Sequence, residues 1–152
     1  MRKWLALSAV VIAIDVYTKH LIQQAFQYGE RLPITSFFDL VRFHNEGAAF
    51  SFLANQGGWQ HFFFTAIAVA ASVVMIYLLR KHSEQKLFCF AIALVLGGAL
   101  GNLYDRLTLG YVVDFLFFHY QIYYWPAFNV ADSAITGGVA LLFIDSFKKP
   151  SI

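Results

Sequence analysis

Two carboxylates stand among apolar neighbours, Asp114 in Val-Val-Asp-Phe and Asp132 in Phe-Asn-Val-Ala-Asp-Ser. An ionised carboxylate against hydrocarbon is costly, so each needs a partner, a proton or a chemical task that offsets the cost. If folding brings the two together they cannot both ionise. They then share a proton and titrate as a pair. The ionised member can take a proton from water while the protonated member polarises a carbonyl, a division of labour suited to hydrolysing a peptide bond without a metal or a nucleophilic side chain.

Each acid also has a plainer reading. Asn129, three residues before Asp132, has the form of a helix start in which Asn caps and the carboxylate is favoured by the helix dipole. Asp114 could simply neutralise Arg106. Asp105, directly beside Arg106 and with fewer apolar neighbours, reads as an ordinary surface pair, and Asp145 reads as an end charge near Lys148 and Lys149. A second polar set, Asp15 and Lys19, is spaced four residues apart and shares a helix face. Either the two neutralise each other while Lys19 snorkels to the interface, or they support the site.

The composition says what must position these residues. Of 152 residues 59% are apolar and 13% charged, whereas about 25% charged is usual for a soluble domain. The chain is therefore expected to be one membrane domain over 1–152, with lipids around it. A net charge of +2 gives no footprint for nucleic acid. Cys89 is the single cysteine and the five His are scattered, so no disulfide, metal site or cofactor is expected. Gly-x-Ser-x-Gly and phosphate-binding Gly-rich loops are absent, and a Ser-Lys mechanism would have to recruit Lys19 with Ser51 or Ser133 without support from spacing.

Four apolar runs, at about 4–26, 60–79, 87–104 and 127–146, suit helices that rise ~1.5 Å per residue across a core of roughly 30 Å. The first follows Arg2-Lys3 like a signal peptide, but it continues past such a length with no small-x-small site and is expected to stay as an anchor. Arg2, Lys3, Arg80, Lys81, Lys86, Lys148 and Lys149 fall on one side, against Arg31, Arg42 and Arg106 on the other. Both termini are thus expected in the cytoplasm. Residues 28–58 then form an extracytoplasmic β-rich insertion, a hairpin of Phe37–Phe43 turning at Asn45-Glu46-Gly47 and returning over Ala48–Leu53. Residues 105–126 form an outer re-entrant or interfacial segment, with Trp59, Tyr123, Tyr124 and Trp125 at the same interface. Along the third helix Cys89, Ala93, Gly97 and Gly101 make a small-residue stripe for close packing. The expected fold class is an all-α membrane protein of four transmembrane helices carrying that small hairpin subdomain.

Five motifs in order, Asp15-x-x-x-Lys19, Asn45-x-Gly47-Ala48-Ala49-Phe50, Gly97 to Arg106, Val112-Val113-Asp114-Phe115 and Phe128 to Ser133, together resemble the bacterial lipoprotein signal peptidases, or signal peptidase II. The resemblance covers nearly the whole chain. It implies an intramembrane aspartyl endopeptidase of the bacterial cytoplasmic (inner) membrane. Such an enzyme cleaves prolipoproteins just before the diacylglyceryl-modified cysteine, with its active site near the outer leaflet. By the same resemblance Asp114 and Asp132 are the catalytic pair. Asn45, Gly47, Asn102, Arg106 and Asn129, with Asp15 and Lys19, line or brace the substrate site.

Two readings from other classes compete. A proton or ion pathway would also place acids and a lysine in a membrane, though spread across its depth. A scaffold protein would use the glycine stripe and the hairpin for assembly. A monomer is expected, since one bundle can hold every proposed residue.

Overall fold

The computed structural model describes residues 1–47 and 59–147. Helices α1 (Arg2–Ala25), α2 (Trp59–Lys81), α3 (Lys86–Leu109) and α4 (Val130–Ser146) are joined to four strands, β1 (Arg31–Pro33), β2 (Phe38–Asn45), β3 (Val112–Tyr120) and β4 (Tyr123–Tyr124). The protein is mostly helical with one small antiparallel sheet. α1, residues 62–81 of α2, and α3 are each long and apolar enough to cross a membrane; α4, at 17 residues, is shorter.

α1, α2 and α4 bury little and expose much hydrocarbon. Val10, Ile14 and Leu21 of α1, Ile67, Val73 and Val74 of α2, and Val139, Phe143 and Ile144 of α4 all face outward. That inside-out surface suits lipid and would be untenable in water. Near the end that carries the N-terminus, Met75, Leu79, Cys89, Ile92 and Leu96 form an apolar core, joined by Trp4, Leu5 and Leu142.

α3 sits between α1 and α4 because its glycines remove the side chains that would separate them. A Cβ on Gly97 would lie 2.9 Å from the Ser8 carbonyl oxygen, and one on Gly98 would collide with the Ala131 carbonyl of α4. The small-residue stripe thus packs on α1, where Ser8 Oγ donates to the Ala93 carbonyl at 2.8 Å.

The sheet has the order β1-β2-β3-β4. β2 is the expected strand, but its partners are β1 and the distant β3, while the expected return strand at 48–53 lies outside the described residues. β1 has three residues and ends in Pro33, too short for a periodic signal. β3 begins with four consecutive buried residues, Val112–Phe115. Such a continuous buried run does not alternate as a half-buried strand does.

Two boundaries also move. α3 continues five residues beyond 104 and stops at Gly110, which takes the left-handed conformation (φ +84°) and donates to the Arg106 carbonyl at 3.1 Å. The polar residues Asp105, Arg106 and Thr108 made this last turn look like loop. α4 starts at Val130 because the chain before it is held in the sheet. Phe128 N–H donates to Leu116 O at 3.0 Å, and its carbonyl accepts from Phe115 and Leu116.

Candidate active site

β3 carries Asp114 beside α3 and the start of α4. A β-bulge in β2 sets its neighbour: Leu40 pairs with Leu116 and Phe43 with Asp114, so Val41 and Arg42 together oppose Phe115. Beyond the bulge Asn45 aligns with Val112, close enough for Asn45 Nδ2 to donate to Asp114 Oδ2 at 3.1 Å. The other oxygen, Oδ1, accepts from Asn129 Nδ2 at 2.8 Å. Asp114 is buried. Burial, and after it the negative charge of Asp132, pushes the Asp114 carboxyl up to about 7, against the pull of the two asparagine bonds.

Asn129 is also the N-cap of α4. Its backbone is extended and its Oδ1 accepts from the Asp132 N–H at 2.8 Å, satisfying a donor that the helix leaves open. One buried amide therefore starts the helix that presents Asp132 and, through its other end, holds Asp114. The Asp132 carboxylate is engaged as well, its Oδ1 accepting from Asn102 Nδ2 at 2.7 Å. The capping reading is correct for this stretch, and it describes the backbone of Asp132 without exhausting what its side chain does.

Behind this layer lies a buried charge cluster. Lys19 Nζ stands 2.7 Å from Asp15 Oδ2, 3.1 Å from Asp105 Oδ2 and 2.9 Å from Asn102 Oδ1. Asn102 Oδ1 also accepts from Asn129 Nδ2 at 3.2 Å, so its amide nitrogen is the end left to face Asp132. Asp15 Oδ1 accepts from the Ala131 N–H at 2.8 Å, adding a second cap to α4. Asp105 Oδ2 accepts from the Val113 N–H at 3.0 Å and so ties down the backbone next to Asp114.

These contacts settle two alternatives. Lys19 does not snorkel; it is 1% exposed and points into the bundle. Asp105 is not a surface pair with Arg106, because it is buried and serves Lys19 and β3. A helical signal was present in the sequence: Gly101, Asn102 and Asp105 lie at spacings of three and four, on one side of α3.

Arg106 faces another way. Its guanidinium carbon lies 5.7 Å from the centroid of the Phe64 ring on α2. Gly47, with φ +97°, donates to Asn45 Oδ1 at 2.9 Å, and a Cβ there would lie 2.6 Å from Phe64 Cε2. Ala48, Ala49 and Phe50 of the same motif lie outside the described residues. Among the described residues no group of His, Cys, Asp and Glu is clustered as a metal ion would require.

The family model of signal peptidase (SPase) II matches residues 7–148. The chain belongs to the signal peptidase II family. Among its relatives, the lipoprotein signal peptidase of Ralstonia nicotianae is 58% identical over 146 residues, covering 96% of this chain and 84% of that protein. That of Paraburkholderia phytofirmans is 53% identical, covering 96% and 85%. A solved structure described as a bacterial membrane enzyme superposes with a TM-score of 0.88 at 30% identity, covering 98% of this chain and 95% of that one.

The residues singled out in the sequence that lie among the described ones converge in space. Asp15, Lys19, Asn102, Asn129, Asp114 and Asp132 form one connected hydrogen-bond network, Asn45 joins it at Asp114, and Gly47 and Arg106 meet at Phe64. Two members escaped the sequence reading. Asp105 was placed on the surface, and Phe64, in an uncharged span, carried no chemical signal.

Proposed function

We propose that Asp114 and Asp132 act as one water-activating pair in an endopeptidase that removes the signal peptide from lipoprotein precursors, cutting just before the diacylglyceryl-modified cysteine. The observation that carries this reading is the shared Asn129 amide, whose two ends hold the two acids in fixed relation. Asp114, with its carboxyl pushed up to about 7, retains its proton near neutrality and polarises the scissile carbonyl. Asp132, only partly buried, takes a proton from the attacking water. As the tetrahedral centre collapses the proton taken from water is returned to the leaving nitrogen, and the pair is ready again.

The reading includes a membrane placement. α4 is taken as a fourth span, making one membrane domain with both termini in the cytoplasm, as the basic residues near Arg2, Lys81 and Lys86 favour. The sheet and the segment between α3 and α4 then lie outside, and the carboxylates meet substrate near the outer leaflet. A lipidated cysteine is kept at that depth by its acyl chains. A proton pathway fits less well. Buried charges gather at one end of the bundle, while the opposite end is packed with Met75, Leu79, Ile92 and Leu96.

The test uses purified protein in detergent or lipid with a diacylglyceryl-modified prolipoprotein. Asp114→Asn and Asp132→Asn should each lower cleavage by at least about a thousandfold while the protein still inserts and folds. Unchanged cleavage by either variant overturns the pair.

A further inference from the structure

Arg106 is a cation among carboxylates that forms no ion pair with any of them among the described residues. It feels the charges of Asp132, Asp114 and Asp105, yet it lies over the face of Phe64, 5.7 Å from ring centroid to guanidinium carbon. A guanidinium over an aromatic face is attracted by the ring quadrupole, an interaction that strengthens away from water. The same ring lies against Gly47, whose N–H donates to Asn45 Oδ1 and so turns Asn45 Nδ2 toward Asp114. Phe64 is itself held by a train of rings, with Phe63 at 5.6 Å and Trp59 a further 5.7 Å along α2.

We propose that Phe64 is a positioning residue for peptide cleavage: its ring holds the Arg106 guanidinium beside the carboxylate pair but out of contact with it, and seats the Gly47 backbone that orients Asn45. The inference rests on the carboxylate reading given above. The separation has a chemical purpose. A proton-sharing pair works only while one member stays protonated, and an arginine in direct contact would favour ionisation of both. At the ring, Arg106 remains near enough to stabilise negative charge that develops on the substrate carbonyl.

Without the ring, Arg106 is free to close onto Asp132 or Asp114. The other charged groups facing the pair, Lys19 and Asp15 from α1 and Asp105 from α3, stay locked in their own cluster. The pair then gives up its shared proton at lower pH.

The experiment is kcat and KM across pH on a diacylglyceryl-modified prolipoprotein for wild type, Phe64→Leu, Phe64→Met and Phe64→Tyr. Methionine guards against a collapsed cavity, since it keeps apolar bulk without a ring. Expected are a roughly ten- to hundredfold loss in kcat for Leu and Met, with the alkaline limb of the profile displaced downward by about one pH unit. Tyr, which keeps the ring, should restore both. A rate loss with an unmoved alkaline limb, or a Tyr variant as impaired as Leu, overturns the inference. If Asp114→Asn or Asp132→Asn still cleaves, the carboxylate reading has failed; if both are inactive and Phe64→Leu keeps the wild-type profile, only the role of Phe64 has.

Discussion

Two charge clusters in this molecule have mirrored composition and different consequences. In the bundle one cation, Lys19, stands between two acids, Asp15 and Asp105, and all three side chains are at most 4% exposed. In the sheet one acid, Asp39, stands between two bases, Arg31 and His119, which contact its two oxygens. There the acid is buried but Arg31 is 47% exposed and lies over the Phe117 ring. Water can replace a lost partner at the sheet and cannot in the bundle. The inner cluster also reaches chemistry, through Asn102 to Asp132 and through the Val113 N–H to the strand bearing Asp114. The outer one joins β1, β2 and β3 to each other. Position, rather than the number of ion pairs, decides what each is worth.

The largest effect that separates the two should come from Lys19→Met. It leaves Asp15 and Asp105 buried without their cation, and breaking a buried pair from one side costs about 3–5 kcal/mol, a large share of the ~5–15 kcal/mol that holds a domain folded. Thermal unfolding in detergent reads this directly. Adding Asp15→Asn and Asp105→Asn to Lys19→Met should recover part of the loss, because no uncompensated charge remains. A wild-type melting point for Lys19→Met alone would remove the distinction between the clusters.

A middle-sized effect concerns Asp114, an acid given neither kind of ion pair among the described residues. Its folded carboxyl sits near 7, above the ~3.9 of an unfolded aspartate. Below about pH 4 both states are protonated and stability is complete. As pH rises the unfolded state ionises first, so stability is lost progressively until pH passes about 7. Asp114→Asn has no such group, so its stability relative to wild type should climb between pH 4 and 7, by at most about 4 kcal/mol. The amide reduces the gain, because it must meet the donors Asn45 and Asn129 with one acceptor fewer. Chemical unfolding at several pH values checks the slope, and parallel pH profiles would contradict the burial argument.

The smallest effect should be at the sheet. Burial works against ionisation of Asp39, but His119 and Arg31 outweigh it and hold the carboxyl below its ordinary range. The sign is opposite to that of Asp114: the stabilisation is present above the unfolded value near 3.9 and is lost only as pH falls through the lower folded value. Asp39→Asn should therefore change the melting point little at neutral pH and should flatten the acid-side decline. A neutral-pH loss as large as that of Lys19→Met would show that the sheet cluster is as dry as the inner one.

The apolar runs reported the helices well because hydrocarbon in lipid needs no pattern beyond length, and the two acids were legible because a charge in such a run is expensive. Other features were not legible. Asp105 looked like a surface charge because its neighbour is Arg106, and only helix rotation turns one inward and the other toward Phe64. β3 looked irregular because it is buried over four successive residues, and β1 is too short to register. Phe64 resembles every other phenylalanine of its span.

By itself the chain's order of residues determined the membrane class, the helices, the placement of two acids among apolar neighbours and the resemblance to the family, since these depend on local composition and spacing. Tertiary structure alone decided which residues meet. Asn129 reaches Asp114 only because Phe128 is bonded into the sheet, and Asn102 reaches Asp132 only because Gly98 lets α3 and α4 approach. Hydrogen bonds and ion pairs act over a few ångströms between residues far apart in the chain, and that range lies beyond what any local pattern encodes.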